Sequence, residues 1–131
     1  MEGNLYEVLV DTSVVIDLFR RQPGMAQHFA RVDSVVSPIV LGELYHGALR
    51  ATLTAREMNY IAQLMQTSRM VLCDEETSLR YATIRNNLQP RGLLIPENDM
   101  WIAASAIQHG LPLATGDAHF ERVDGLVVKR W

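Results

Sequence analysis

The chain alternates short apolar runs with longer amphipathic stretches, and this alternation restricts its fold more than any other feature of the sequence. The apolar runs that suit β-strands are Val8–Val10, Val35–Val36, Met70–Cys73, Leu113–Thr115 and Leu126–Val128. Strands separated by helices of about 10–15 residues are typical of βαβ units and a parallel sheet. We therefore predict an α/β protein that forms a single domain over residues 1–131.

Helix signals lie between the apolar runs. The predicted helices begin after Asp11 and then cover Met25–Arg31, Pro38 to about Arg50, Thr54 to about Thr67, Asp74–Gln89 and Glu97–His109. Ser37 followed by Pro38 is a typical N-cap and first-turn pair, and Thr54 with Glu57 fits a capping box. Gly110 suits the left-handed residue that ends a helix.

The composition indicates a sizeable core and no polybasic surface. Apolar residues make up 48% of the chain, and 12 basic against 15 acidic residues give a net charge of −3. Lys129 is the only lysine, and the other eleven basic residues are arginines, whose planar fork suits phosphate or carboxylate. No apolar run approaches the ~20 residues that span a bilayer. The lone Cys73 excludes an internal disulfide, so we expect a cytoplasmic protein with no membrane association.

Four acids occupy positions that a solvated surface does not require. Asp11 and Asp117 each follow a short apolar strand, and ligands bind at the carboxyl ends of strands in open α/β sheets. Asp99 lies in the first turn of an almost wholly apolar helix, and Glu43 lies in the second turn of a similar one. A carboxylate among apolar residues is unfavourable unless it is paired or binds a metal.

Four converging carboxylates would repel one another, and a hard divalent cation relieves such repulsion. Mg²⁺ and Mn²⁺ prefer oxygen ligands. A metal held by carboxylates lowers the pKa of a bound water and orients it for attack on a phosphodiester. Thr12, Ser13 and Thr115 are placed to hydrogen-bond the acids or the metal-bound waters.

Each acid also has an ordinary structural role open to it. Asp11 suits the N-cap of the following helix, Asp99 and Asp117 suit helix starts, and Glu43 suits a solvated helix face. An aspartate-based phosphoryl-transfer domain is another interpretation of the same acids. Such a domain typically needs a lysine near them, and Lys129 lies close to the C-terminus.

Four segments together resemble the PIN-domain ribonucleases, specifically the VapC-type toxins of bacterial toxin–antitoxin pairs. These segments are Val10–Ser13, Gly42–Leu44, Pro96–Ala104 and Thr115–Phe120. The ending from Arg122 to Trp131 is also similar to that of the family. No single motif is specific, whereas their order and spacing are.

The resemblance implies an α/β/α sandwich with a central, mostly parallel sheet. It implies endonucleolytic cleavage of RNA by an acidic pocket of Asp11, Glu43, Asp99 and Asp117 that binds Mg²⁺ or Mn²⁺. We expect Asp11 and Asp99 to be direct ligands, whereas Asp117 corresponds to the most variable acid. A homodimer is implied, as is a heterotetramer or larger assembly with a cognate antitoxin whose tail enters the active-site groove. A PIN fold that binds RNA or protein without cleavage is the alternative.

Other residues are predicted to have roles outside the acidic pocket. Cys73 is predicted to be a small core residue, and His28, His109 and His119 are predicted to pack or to face solvent. The methionines and leucines near Leu53–Met65 suit an ordinary core best. Because adaptable Met-rich surfaces can bind partners, the same segment is the candidate for antitoxin contact. Arg85 and Arg91 are candidates for contact with RNA phosphates, although ordinary solvated surface positions are favoured for both.

Overall fold

The computed structural model describes residues 5–131, in which five strands form one sheet and every neighbouring pair is parallel. The strands are β1 (Glu7–Val10), β2 (Asp33–Val36), β3 (Arg69–Met70), β4 (Leu113–Thr115) and β5 (Val128–Arg130). Their order across the sheet is β3-β2-β1-β4-β5. The predicted α/β class is confirmed, and the sheet is parallel throughout.

Helices flank this sheet, as the resemblance implied for a sandwich. They are α1 (Thr12–Phe19), α2 (Met25–Ala30), α3 (Pro38–Arg50), α4 (Thr54–Thr67), α5 (Glu75–Leu88) and α6 (Glu97–Gln108), with 3₁₀ turns at Gln89–Arg91 and Ala118–Arg122. Parallel sheets are covered on both faces, and Val8, Leu9 and Val10 of β1 are accordingly 0% exposed. Among residues 5–131, none of the helices combines the length and the apolar character that a membrane span requires.

The helix ends agree with the sequence at Ser37 and Gly110 and differ from it at Thr54. The Ser37 hydroxyl accepts a hydrogen bond from the Val40 amide at 3.2 Å, and Gly110 follows α6 with φ +65°. The capping box predicted at Thr54 is wrong, because Thr54 is already helical and its hydroxyl donates to the Ala51 carbonyl at 2.9 Å. A capping box forms instead at Asp74, the N-cap of α5.

The strand predicted at Met70–Cys73 is shorter and more exposed than expected. Val71 donates its amide to the Val36 carbonyl at 3.0 Å, and the chain leaves the sheet after this bond. Leu72 is 68% exposed. Cys73 is also exposed, with its Sγ 3.5 Å from the Ser105 hydroxyl, so its predicted core position is wrong. The physical reason is that β3 is an edge strand, where pairing and burial both end early.

The strand order creates a switch point between β1 and β4. From β1 the chain adds β2 and β3 on one side, and later it adds β4 and β5 on the other. In open α/β sheets, a crevice for ligands forms outside the carboxyl ends of the strands at such a point. Asp11 follows β1 and Gly116 follows β4, so the fold brings two of the predicted segments to this crevice.

Candidate active site

Asp11 is buried at the carboxyl end of β1 and is also the N-cap of α1. It is 3% exposed. Its Oδ1 accepts a hydrogen bond from the Thr12 amide at 2.8 Å, and its Oδ2 accepts from the hydroxyls of Ser13 at 2.9 Å and Thr115 at 2.7 Å. Burial raises the pKa of Asp11, these hydrogen bonds oppose the rise, and the charge of Asp117 adds to it. The cap role and the pocket position therefore coincide in one side chain.

Glu43 is half-buried on α3 and joins two other elements to that helix. Its Oε1 accepts a hydrogen bond from the Thr12 hydroxyl at 2.5 Å. Its Oε2 accepts from the Asn98 side-chain amide at 3.2 Å. Since Thr12 begins α1 and Asn98 lies in the first turn of α6, the carboxylate of Glu43 holds three helices together beside Asp11.

Asp99 projects from the first turn of α6 into the same crevice. Burial raises the pKa of its carboxyl group, and a hydrogen bond with His119 opposes the rise. The negative charges of Asp11 and Glu43 raise this pKa further, whereas the charge of His119 lowers it. Asp99 therefore experiences the charge of two other predicted acids, as expected of a shared pocket.

Asp117 and His119 complete the group from the turn after β4. The Asp117 amide donates to the Thr115 hydroxyl at 3.0 Å, which fixes the start of the turn. His119 Nε2 lies 2.7 Å from Asp99 Oδ2, and its Nδ1 lies 3.7 Å from Asp117 Oδ1. One ligand atom from each of Asp99, Asp117 and His119 can be chosen so that all three lie within 4.8 Å of one another.

His119 is the site residue that sequence reasoning missed. The prediction that it packs or faces solvent is wrong, because its ring lies between two acids. No other predicted ligand lies three or four residues from it in the sequence, and its partner Asp99 is 20 residues away. The available signal was a histidine two residues after an acid that ends a strand. His28, by contrast, packs as predicted, stacked on Trp131 with ring centroids 5.0 Å apart.

The acidic group has little positive charge to balance it. Within residues 5–131, no lysine or arginine forms an ion pair with Asp11, Glu43, Asp99 or Asp117, and His119 is the one basic partner. Carboxylate oxygens are the ligands of Mg²⁺ and Mn²⁺, and imidazole nitrogen also binds transition metals. This donor set, crowded and unneutralised, fits a divalent cation.

Comparison with known proteins identifies the family. The family model described as the PIN domain matches residues 8–126. The chain belongs to the PIN domain family. Ribonuclease VapC4 of Mycobacterium tuberculosis is 36% identical to this PIN domain over 119 residues, which are 87% of this chain and 88% of that protein.

Solved structures agree with the fold of this PIN domain. VapBC2 from Rickettsia felis, crystallised with a DNA fragment from its promoter, gives a TM-score of 0.89 at 21% identity, over 95% of this chain and 98% of that one. VapBC-5 from Mycobacterium tuberculosis, described as a member of the VapBC family of toxin–antitoxin systems, gives a TM-score of 0.75 at 27% identity. That alignment covers 95% of this chain and 98% of the other.

The acidic site of this PIN domain is open on one side. Asp11 is 3% exposed at its base, whereas the Asp117 side chain is 50% exposed. A groove of about 500 Å³ begins at Glu43 and runs between α1, α3 and α4. Its lining includes Phe19 and Ile61 as apolar residues and Arg56 as a basic one. A ligand can therefore approach from solvent at Asp117 or along the groove at Glu43.

Proposed function

We propose that this PIN-domain protein is a metal-dependent endoribonuclease that hydrolyses RNA phosphodiester bonds and acts as the toxin of a toxin–antitoxin pair. The observation that carries the proposal is the gathering of Asp11, Glu43, Asp99 and Asp117 at the carboxyl edge of the sheet without an arginine or lysine partner. Four neighbouring carboxylates repel one another, and a bound cation balances their negative charge.

The residues that would hold Mg²⁺ or Mn²⁺ are the four acids, with Asp11 and Asp99 as the principal ligands. A bound divalent metal supplies an activated water and stabilises the charge that develops on phosphate oxygens. His119 is added to the predicted set, because it lies within hydrogen-bonding distance of Asp99 and near Asp117. Its imidazole hydrogen-bonds Asp99 and so orients that carboxylate, as outer groups in metal sites commonly do.

Hydrogen bonds within the chain fix the carboxylates of Asp11 and Glu43 before a substrate binds. Three hydrogen bonds hold both oxygens of Asp11 in one orientation, so this carboxylate loses little freedom when it binds a ligand. Thr12 holds Glu43, and Asn98 holds its other oxygen. Preorganised groups of this kind need little rearrangement during the reaction. The exposed side at Asp117 is where the phosphodiester backbone would enter.

RNA as the substrate is supported by the relatives. VapC4 of Mycobacterium tuberculosis is named a ribonuclease and is similar to this chain over most of both lengths. A net charge of −3 with eleven arginines favours local contact with phosphates over a general affinity for nucleic acid. We expect the protein to recognise its substrate through RNA shape and exposed single strands. We expect this activity in the cytoplasm.

A cognate antitoxin is the proposed partner, and the groove that begins at Glu43 is its proposed binding surface. Four residues of α4 line this groove, namely Arg56, Glu57, Tyr60 and Ile61, and they lie within the Leu53–Met65 segment predicted from the sequence. A peptide that follows the groove would reach Glu43 and the acidic site. The homodimer, and the heterotetramer or larger assembly with antitoxin, stay predictions from the family resemblance.

The test is RNA cleavage by the purified, antitoxin-free chain with EDTA, Mg²⁺ or Mn²⁺, beside the Asp99→Asn variant. We expect cleavage that requires the metal and is lost in the variant. Asp124→Asn is the matched control, because Asp124 is an acid whose side chain is 79% exposed and paired only with Arg91, at 3.9 Å. Cleavage of equal rate in EDTA, or by Asp99→Asn, would contradict the proposal.

A non-catalytic PIN module that binds RNA or protein is the second candidate. The unneutralised acids disfavour it, because a binding module has no need of a costly cluster of like charges. If the parent protein and the Asp11→Ala and Asp99→Ala variants bind RNA equally and none cleaves it, the module is the better description. An aspartate-based phosphoryl-transfer domain is disfavoured because, within residues 5–131, no lysine pairs with these acids.

A further inference from the structure

The first turn of α6, from Glu97 to Asp99, is held by contacts with three different elements. Pro96 is at the N-cap position, and no side chain caps the helix. An uncapped first turn leaves amide groups without partners and frays readily. Here Asn98 donates to Glu43 on α3, and Asp99 contacts His119 after β4. Glu97 makes the third contact, with α5.

The contact between Glu97 and α5 is a compact polar cluster of Tyr81, Arg85 and Glu97. Arg85 Nη1 donates to Glu97 Oε1 at 2.8 Å and to the Tyr81 hydroxyl oxygen at 2.9 Å. The Tyr81 hydroxyl donates to the other oxygen of Glu97. The Tyr81 ring also stacks on Trp101 of α6, with centroids 4.1 Å apart and planes 7° apart. Both oxygens of Glu97 are therefore engaged by α5.

We propose that Tyr81, Arg85 and Glu97 form a positioning cluster for Asp99. The inference rests on the proposed function, in which Asp99 is a metal ligand. Glu97 lies two residues before Asp99 in the same helical turn, so fixing Glu97 against α5 fixes the backbone that carries the Asp99 carboxylate. The cluster anchors a first turn that has no side-chain cap, and it lies outside the set of acids that would touch the metal.

Arg85 thereby acquires a role that differs from RNA contact. Its guanidinium is directed to Tyr81 and Glu97, so its charge is already partnered within the protein. A residue that positions Asp99 affects metal affinity, whereas a residue that contacts RNA affects the KM for RNA. These two effects are measured separately.

The opposite end of the same helix pair provides a matched control. There Gln108 of α6 donates to Asp74 Oδ1 at 2.7 Å and accepts from Thr77 of α5. This contact also joins α5 to α6, yet it lies at the end of α6 that is remote from Asp99. Gln108→Ala therefore removes an α5–α6 contact without touching the first turn of α6.

The experiment measures Mn²⁺ affinity by electron paramagnetic resonance for the parent, Tyr81→Phe, Arg85→Gln and Gln108→Ala proteins. Tyr81→Phe keeps the ring that stacks on Trp101 and removes only the hydroxyl. We expect both cluster variants to raise the Kd for Mn²⁺ about three- to tenfold, less than the roughly 10–100-fold typical of groups that hydrogen-bond a ligand directly. Arg85→Lys, which keeps a donor, should recover part of the affinity. Gln108→Ala should lower the Tm and leave the Kd unchanged.

Two results would overturn the positioning role. The first is a Kd for Mn²⁺ in both cluster variants that equals the Kd of the parent. If Arg85→Gln also raises the KM for RNA while its Kd is unchanged, Arg85 contacts RNA instead. The second is an equal rise in Kd in Gln108→Ala, which would make the effect one of general helix packing. Failure of the proposed function looks different, because the parent itself would then bind no Mn²⁺ and Asp99→Asn would behave like the parent.

Discussion

The Thr12 hydroxyl donates to Glu43 Oε1 at 2.5 Å, across 31 residues of sequence. This bond joins the first residue of α1 to the middle of α3 beside the buried carboxylate of Asp11. The amide of the same threonine donates to Asp11 Oδ1 at 2.8 Å. One residue thus orients two of the four pocket acids, one through its main chain and one through its side chain.

Thr12→Val should therefore impair activity more than stability. The change keeps the shape of the side chain and the amide bond to Asp11, and it removes only the hydroxyl that donates to Glu43. We expect kcat for RNA cleavage to fall about tenfold, at the lower end of the effect of groups that orient metal ligands. The control is Thr83→Val, because the Thr83 hydroxyl donates only to the Leu79 carbonyl on an exposed helix face. Equal kcat values for the two variants would exclude an orienting role for Thr12.

The central part of the fold was predictable because its sequence signals are strong and independent of context. Val8–Val10 and Leu113–Thr115 are short, apolar and bounded by turns or helix starts, and both are strands in the sheet interior. The edge strand was not predictable in the same way. Met70–Cys73 has an apolar composition, but its burial depends on whether a neighbouring strand continues, and β2 ends at Val36.

The acids of the site were found because each follows a strand or lies in an apolar helix. His119 was missed because its partners are distant in sequence, and a 3₁₀ turn gives no periodic signal. The Tyr81–Glu97 contact could not be predicted from the sequence either, because it depends on how α5 and α6 pack. Local patterns therefore predicted the interior strands and the acids of the site, whereas they failed at the edge strand, at the Thr54 cap and for contacts that the tertiary structure creates.

Asp99→Asn should raise the stability of the metal-free protein at neutral pH. The folded state raises the pKa of Asp99 above its unfolded value, so the folded protein binds this proton more tightly. The stabilisation from that proton is complete below the unfolded pKa and is lost as the pH rises through the folded pKa. At pH 7 the ionised carboxylate lowers the free energy of unfolding, and asparagine removes this effect. Thermal unfolding should show a higher Tm for the variant at pH 7 and a smaller difference at pH 4.

Divalent metal should reverse that order. A ligand present at 100 times its Kd stabilises the folded state by about 2.7 kcal/mol. In the proposed site Asp99 is a metal ligand, so Asp99→Asn should gain less of this stabilisation than the parent. In saturating Mn²⁺ the parent should therefore be the more stable protein. Asp124→Asn serves as the control for loss of an exposed acid and should respond to Mn²⁺ like the parent. If Asp99→Asn is less stable than the parent at pH 7 without metal, burial and charge repulsion do not determine how Asp99 affects the free energy of unfolding.

Thr115→Val should lower the free energy of unfolding by about 2–3 kcal/mol. Thr115 is fully buried, and its hydroxyl donates to Asp11 while it accepts from the Asp117 amide. Valine leaves both groups without this partner. Thr115→Ser keeps the hydroxyl and removes one methyl group, so it should cost only about 1 kcal/mol. Urea unfolding of the two variants measures the difference, and equal losses would show that packing, not the hydroxyl, dominates at this position.

His119→Asn should weaken metal binding while His109→Asn should not. His119 contacts Asp99 and Asp117, whereas His109 contacts only the Leu72 carbonyl, at 2.9 Å, near the end of α6 that is remote from Asp99. Asparagine has no polar atom at the position of Nε2, the ring nitrogen that contacts Asp99. We expect the Kd for Mn²⁺ to rise roughly tenfold in His119→Asn, as for other groups that orient ligands, and titration calorimetry measures it directly. Unchanged affinity in both variants would mean that Asp99 and Asp117 keep their positions without His119, and the imidazole would then be a neighbour of the site rather than part of it.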